Sequence, residues 1–204
     1  MKKRILGLLL ALVLFGSMPV YADSPFTDVQ ESDYFYVSVL VASGDIIHGV
    51  GNGLFKPYDA LTVAQAIKLS ACVHAKYYNA KITPDADSVH WVDSYYAYAI
   101  ENGIIKKSDF VKADFDNAIT RDRLFYIFAN TLPDSEYPEI NEIELAPEHP
   151  TTNYLKKLFC AGIVIGNEQG FEVEKNITRA DSAEMVLRMT AHTRRRLVMT
   201  PAIP

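Results

Sequence analysis

One short string returns at a fixed interval, and no other feature constrains the fold as tightly. The chain reads Leu61-Thr62-Val63-Ala64-Gln65, then Ile119-Thr120-Arg121-Asp122-Arg123, then Ile177-Thr178-Arg179-Ala180-Asp181, and the step from the first copy to the second equals the step from the second to the third. Such a period belongs to a chain of similar units that share a core, because one unit of that size cannot bury its own apolar face.

More than the string recurs. Asp45-Ile46-Ile47, Gly103-Ile104-Ile105 and Gly162-Ile163-Val164 keep the same interval to within a single position. Each follows a stretch with helical patterning, at residues 34–43, 92–102 and 153–161. Glycine ends such a stretch because it accepts a left-handed backbone cheaply; the first copy has Asp45 there, with Gly44 beside it. A loop follows, and the recurring string then opens a second helix. Thr62, Thr120 and Thr178 fall at its N-cap, where a hydroxyl oxygen accepts from a backbone N–H that has no partner within the helix. Gln65 completes a capping box with Thr62, and Asp181 a shorter version with Thr178. Val63, Ala66, Ile67 and Val73 keep helical spacing, as do Ala180, Ala183, Val186 and Leu187, which predicts apolar stripes facing one core. The glycines of loop 49–57 match neither the dinucleotide fingerprint nor the P-loop, so they read as turn residues.

Lys2, Lys3 and Arg4, the apolar run at 5–15 and Val20-Tyr21-Ala22 form a secretory signal peptide, with cleavage expected after Ala22. The run is too short to span a bilayer, so no membrane association is expected after cleavage. Removing those three cations takes the net charge from −5 to −8. That excess of acid argues against nucleic acid as a partner. Arg194-Arg195-Arg196 reads as a solvated tail or helix end. An exported chain could pair Cys72 with Cys160. Both sit in apolar helical patterns, however, and read as free buried thiols. The five histidines lack zinc spacing, and no nucleophile motif occurs. These observations predict a protein with no metal, no cofactor and no enzymatic activity.

The ordered motifs resemble the S-layer homology family. The first copy carries Phe26-Thr27-Asp28-Val29, Tyr34-Phe35-Tyr36, Ile46-Ile47-His48-Gly49 and Gly53-Leu54-Phe55-Lys56-Pro57 before its Thr string. The second has His90-Trp91 and Glu101-Asn102-Gly103-Ile104-Ile105; the third has Ala161-Gly162-Ile163-Val164-Ile165-Gly166 and Gly170-Phe171. The resemblance divides the chain into a signal peptide at 1–22, repeats at 24–80, 81–137 and 138–192, and a C-terminal tail at 193–204. It implies an all-α fold, in which three helix-loop-helix repeats pack as a pseudo-threefold spindle with grooves between neighbours. It also implies a function: non-covalent anchoring of a secreted protein to the cell wall of a Gram-positive bacterium. The partner would be a secondary cell-wall polysaccharide linked to peptidoglycan, whose pyruvate ketals carry the recognised carboxylates. The alternative is a surface adaptor that binds another envelope protein and no polysaccharide.

Five residues are candidates for the polysaccharide site. Arg121 and Arg179 stand in the first helical turn, where the helix dipole disfavours a cation. There they add a guanidinium fork to an anion-attracting helix N-terminus, a pairing suited to carboxylates. Solvation or pairing with a nearby acid is the plainer reading of both. Trp91 and Tyr34 could stack on sugar rings or pack in the core. Asp28 could cap backbone or meet a sugar hydroxyl. Departures matter too. Val63 stands where the motif has arginine and Arg123 where it has an acid, so the groove beside Val63 is expected to be weak or silent.

Overall fold

The computed structural model describes residues 24–145, 151–167 and 169–198. The segment read as a signal peptide therefore lies outside the described residues. The described chain is helical: α1 (Tyr36–Ala42), α2 (Val63–Tyr77), α3 (Asp93–Glu101), α4 (Arg121–Ala129), α5 (Thr152–Cys160) and α6 (Arg179–Thr190). Single 3-10 turns lie at Lys112–Asp114, Asp134–Glu136 and His192–Arg194, and no strand occurs among the described residues. Helices this short are marginal alone in water, so their stability must come from packing. α1 packs on α6, α3 on α2 and α5 on α4, while α2 also touches α4 and α6. One apolar cluster runs through all six helices, with Phe35, Ile67, Ile104, Phe125, Phe128 and Leu158 fully enclosed.

The recurring string explains the period. Leu61 N–H donates to Ile177 O (2.8 Å), Ile177 N–H to Ile119 O (3.2 Å), and Ile119 N–H to Leu61 O (2.9 Å). The three bonds close a ring among three buried apolar residues. The same exchange continues outward to the helix starts. Val63 and Ala64 N–H donate to Asn117 O (3.0 Å) and Phe115 O (2.9 Å), at the start of α2. In α4, Arg121 and Asp122 N–H donate to Lys175 O (2.8 Å) and Val173 O (2.9 Å). In α6, Arg179 and Ala180 N–H donate to Asp59 O (3.0 Å) and Pro57 O (2.9 Å). Each helix thus has its first two orphan donors satisfied by the loop of another segment.

Of the three threonines expected to cap, two do. Thr62 accepts from Gln65 N (3.2 Å), and Gln65 Oε1 accepts from Thr62 N (3.2 Å), a complete capping box. Thr178 accepts from Asp181 N (3.1 Å). Thr120 makes no side-chain cap; its hydroxyl donates to the Asp122 carboxylate two residues on. The glycine turns take a left-handed backbone at Gly44, Gly103 and Gly162, so Asp45 itself has no need of one. Both cysteines are free thiols; Cys160 is buried and Cys72 partly so, and burial raises both thiol pKa values.

The Gly103 and Gly162 turns share a conformation but not their surroundings. A Cβ at Gly103 would meet nothing within 4 Å, whereas one at Gly162 would lie 2.7 Å from Arg196 O and 2.8 Å from Ile140 Cδ1. Gly103→Ala should therefore cost only its backbone strain, about 1–2 kcal/mol. Gly162→Ala should cost at least twice that, because the tail at Arg196 must also give way. Urea denaturation of both variants checks this; equal losses would contradict the tight contact.

Candidate functional site

Two cavities open where a loop from one segment meets helices from its neighbours. The first measures about 340 Å³. Its walls are the loop around Ile46–Val50, the Gln65–Leu69 face of α2, the start of α6 at Arg179, and Trp91 just before α3. The second measures about 250 Å³ and is built the same way. Its walls are the loop around Val164–Asn167, the Asp181–Arg188 face of α6, Arg121 at the start of α4, and Tyr34 just before α1. So Trp91 joins Arg179 in groove 1, and Tyr34 joins Arg121 in groove 2.

The two arginines hold their loops by a shared contact. Arg179 Nε donates to Phe55 O (2.7 Å), and Arg121 Nε donates to Phe171 O (2.9 Å). Arg179 is the more deeply set, at 6 % exposure. Its Nη2 donates to His48 O (2.9 Å) and its guanidinium lies 4.6 Å over the Phe55 ring. Burial lowers its pKa from the usual arginine value. Nη1 has no hydrogen-bond partner among the described residues. The expectation that these helix N-termini attract anions needs correcting. Their leading N–H groups already donate to neighbouring loop carbonyls, so only the side chains are available to a ligand.

The lining of groove 1 is electropositive, although Asp59 and Asp28 partly offset the Arg179 charge from outside it. Lys68 and Arg179 both line it, and no aspartate or glutamate does. The Lys68 ammonium stands 5.9 Å from the Trp91 ring centre and 5.7 Å from that of Tyr95, with no carboxylate partner among the described residues. Burial pushes its pKa down, Cys72 opposes that, and the Arg179 charge adds a smaller push downward. His48 sits at the rim with its pKa lowered by burial and then by Lys68, so it is neutral at neutral pH. Gln65 uses its amide oxygen in the capping box, which leaves its N–H groups as donors. Trp91 is 52 % exposed and offers a ring face beside these donors. Neither Lys68 nor Gln65 is among the sequence-derived candidates. The available signal is that Lys68 falls shortly after the recurring Thr, on the face that α2 turns toward its own loop.

Groove 2 balances its charges internally. Asp181 Oδ1 accepts from Tyr34 OH (2.8 Å), and Oδ2 lies 3.7 Å from Arg121 Nη1. Glu184 Oε2 lies 2.7 Å from Arg188 Nη2, and Oε1 accepts from the Ser38 hydroxyl. Burial and the Asp181 hydrogen bond raise the Tyr34 pKa well above the usual phenol range. On the α4 side of the third equivalent position, beside Val63, Arg123 and Tyr126 turn toward Asp109 and Phe110. The Arg123 guanidinium lies 4.3 Å over Phe110 and donates to Asp109 O (2.7 Å), and Tyr126 OH donates to the Asp109 carboxylate. Asp28 belongs to neither groove. Its carboxylate accepts from Phe55 N (2.8 Å) and Lys56 N (2.7 Å), bracing the loop that Arg179 grips.

The sequence model of the S-layer homology domain matches residues 25–67 and 146–183. These stretches flank the middle segment and supply the loops of both grooves. S-layer homology domains are cell-wall anchoring modules that bind secondary cell-wall polysaccharides in general. No curated protein matches the chain. Among the described residues, no helix is long and apolar enough to cross a membrane, and no His, Cys, Asp and Glu cluster could hold a metal ion.

The two arginines should differ in how much they stabilise the fold. Arg179→Ala removes the partner of two loop carbonyls and a stacked ring, and should cost about 2–3 kcal/mol. Arg121→Ala, less buried and bonded to one carbonyl, should cost about half as much. Lys68→Met, which replaces an unpaired half-buried cation by an apolar chain of similar length, should not lower the melting temperature. Thermal unfolding of the three variants reads these differences; a Lys68→Met variant less stable than wild type would show a missed partner.

Proposed function

We propose that this protein is a secreted cell-wall anchoring module of three S-layer homology repeats, at 24–80, 81–137 and 138–192, and that groove 1 binds a carboxylate of a secondary cell-wall polysaccharide. The carrying observation is the convergence of Lys68 and Arg179 in one cavity whose lining carries no acid. Two facing cations repel, and an anion between them relieves that repulsion while gaining charge-assisted hydrogen bonds. Trp91 adds a ring face for the sugar's C–H surface. A pyruvate ketal fits this demand, since it fixes a carboxylate on a sugar ring. The three-repeat reading is supported by the closed ring through Leu61, Ile119 and Ile177, which includes the middle segment on equal terms. A net charge of −5 for the chain repels an anionic polymer at long range, so binding must come from such a focused contact.

Co-sedimentation of residues 23–204 with purified walls tests this, before and after the anionic polysaccharide is stripped. Wild type should pellet with intact walls and stay soluble with stripped ones. Lys68→Met and Trp91→Ala should each weaken binding about tenfold or more, and added salt should weaken it further. Binding indifferent to stripping and to both substitutions would favour a protein partner instead.

Acidification should strengthen the same binding. Burial and the nearby Lys68 lower the His48 pKa, so the imidazole adds a third cation to the rim only below the ordinary imidazole range. The affinity of wild type should rise between mildly alkaline and mildly acidic pH, and that of His48→Ala should not. Parallel pH profiles for the two proteins would remove His48 from the site.

A further inference from the structure

From the differences between the two grooves we infer that groove 2 binds an uncharged sugar residue, not a second carboxylate. This rests on the polysaccharide reading above. The grooves share their architecture but not their charge. At matching places along the two periods, Tyr34 replaces Trp91, Arg121 replaces Arg179, Asp181 replaces Gln65, and Glu184 replaces Lys68. An amide donor and an ammonium have become two carboxylates.

Those carboxylates leave no room for another. Arg188 is 7 % exposed and committed to Glu184 at 2.7 Å and to Ile163 O at 3.1 Å. Arg121 already faces Asp181 Oδ2 at 3.7 Å and spends its Nε on Phe171 O. An incoming carboxylate would meet Asp181 first, and like charges repel at that range. A cationic sugar fares no better, because Arg121 and Arg188 flank the acids. What remains suits hydroxyl groups. Asp181 Oδ2 has lone pairs unused beyond the long Arg121 contact, and the Arg121 Nη groups are donors. Tyr34 is 61 % exposed and presents a ring face. A sugar O–H can donate to Asp181, its oxygen can accept from Arg121, and its C–H face can lie on Tyr34. One polymer strand would thus place its charged residue in groove 1 and an uncharged one in groove 2.

The test uses the nitrogen-15-labelled chain without residues 1–22, titrated separately with methyl glucuronide and with methyl N-acetylglucosaminide. The glucuronide should shift the Trp91 indole N–H signal and leave the Gly166 and Asn167 amides in place. The uncharged sugar should shift Gly166 and Asn167 and spare Trp91. Asp181→Asn should weaken the uncharged sugar about tenfold and give groove 2 a net positive charge, so the glucuronide then shifts Gly166 as well. Tyr34→Ala, at an exposed ring, should abolish the uncharged-sugar response without altering the rest of the spectrum. In wild type, glucuronide shifts at both Trp91 and Gly166, or an uncharged sugar that moves only Trp91 or nothing, would overturn the inference. Failure of the glucuronide to move Trp91, with Gly166 still responding to the uncharged sugar, would instead overturn the carboxylate reading of groove 1 and leave this one standing.

Discussion

Everything else in the structure depends on the three backbone hydrogen bonds that close a ring through Leu61, Ile119 and Ile177. A buried peptide group without a partner is costly, so these three residues must meet or none can be buried. The residues on either side extend the ring, and each capped helix begins with its first two N–H groups on another segment's carbonyls. No segment can therefore complete its own second helix. This is why the string recurs at a constant interval: its apolar residue must reach one centre three times, and its Thr must stand at the same distance from that centre each time.

The grooves are by-products of this closure. Each loop that lends carbonyls to a neighbouring helix must be held in place. Two of the three helices do so with an arginine at their first position, Arg121 on Phe171 O and Arg179 on Phe55 O. Asp28 braces the second of these loops from its other side. Arg179 thus has a structural duty and an electrostatic one. Its Nε and Nη2 secure the loop, and its charge helps make groove 1 positive. Where Val63 replaces the arginine, nothing comparable can grip the loop, and Arg123 and Tyr126 reach over Asp109 and Phe110 instead.

Much of this was legible in the sequence. Helical patterning located five of the six helices and the recurring Thr string the sixth, α4; glycine marked the turns, and Thr62 and Thr178 cap as their neighbours predict. Arg121 and Arg179 were identifiable as exceptional because a cation in a first helical turn works against the dipole. What the chain does not reveal locally is which segment follows which around the centre. Asp181 lies a whole period away from Arg121 along the chain, and Lys68 lies farther still from Arg179. Only the order in which segments meet decides that Arg121 finds an acid while Arg179 finds another cation. The helix N-termini show the same gap: the period announces them, but not that neighbouring loops have already used their donors. Thr120 failed as a cap for a nearer reason. Its hydroxyl turns toward the Asp122 carboxylate two residues on and does not meet the helix's own N–H groups.

Placing Lys68 beside Arg179 in a cavity whose lining carries no acid is unfavourable for the empty protein, and that disadvantage has a consequence for the bound one. Free energy lost to repulsion in the unliganded cavity is returned when an anion enters, so the folded state gains more from the ligand than an already neutral cavity would. Groove 2 shows what the chain does when no such gain is at stake: the same architecture carries Asp181 against Arg121 and Glu184 against Arg188, and its charges cancel. A fold that needed only stability would have balanced both grooves. That one is balanced and its counterpart is not accords with the proposal that groove 1 receives an external anion.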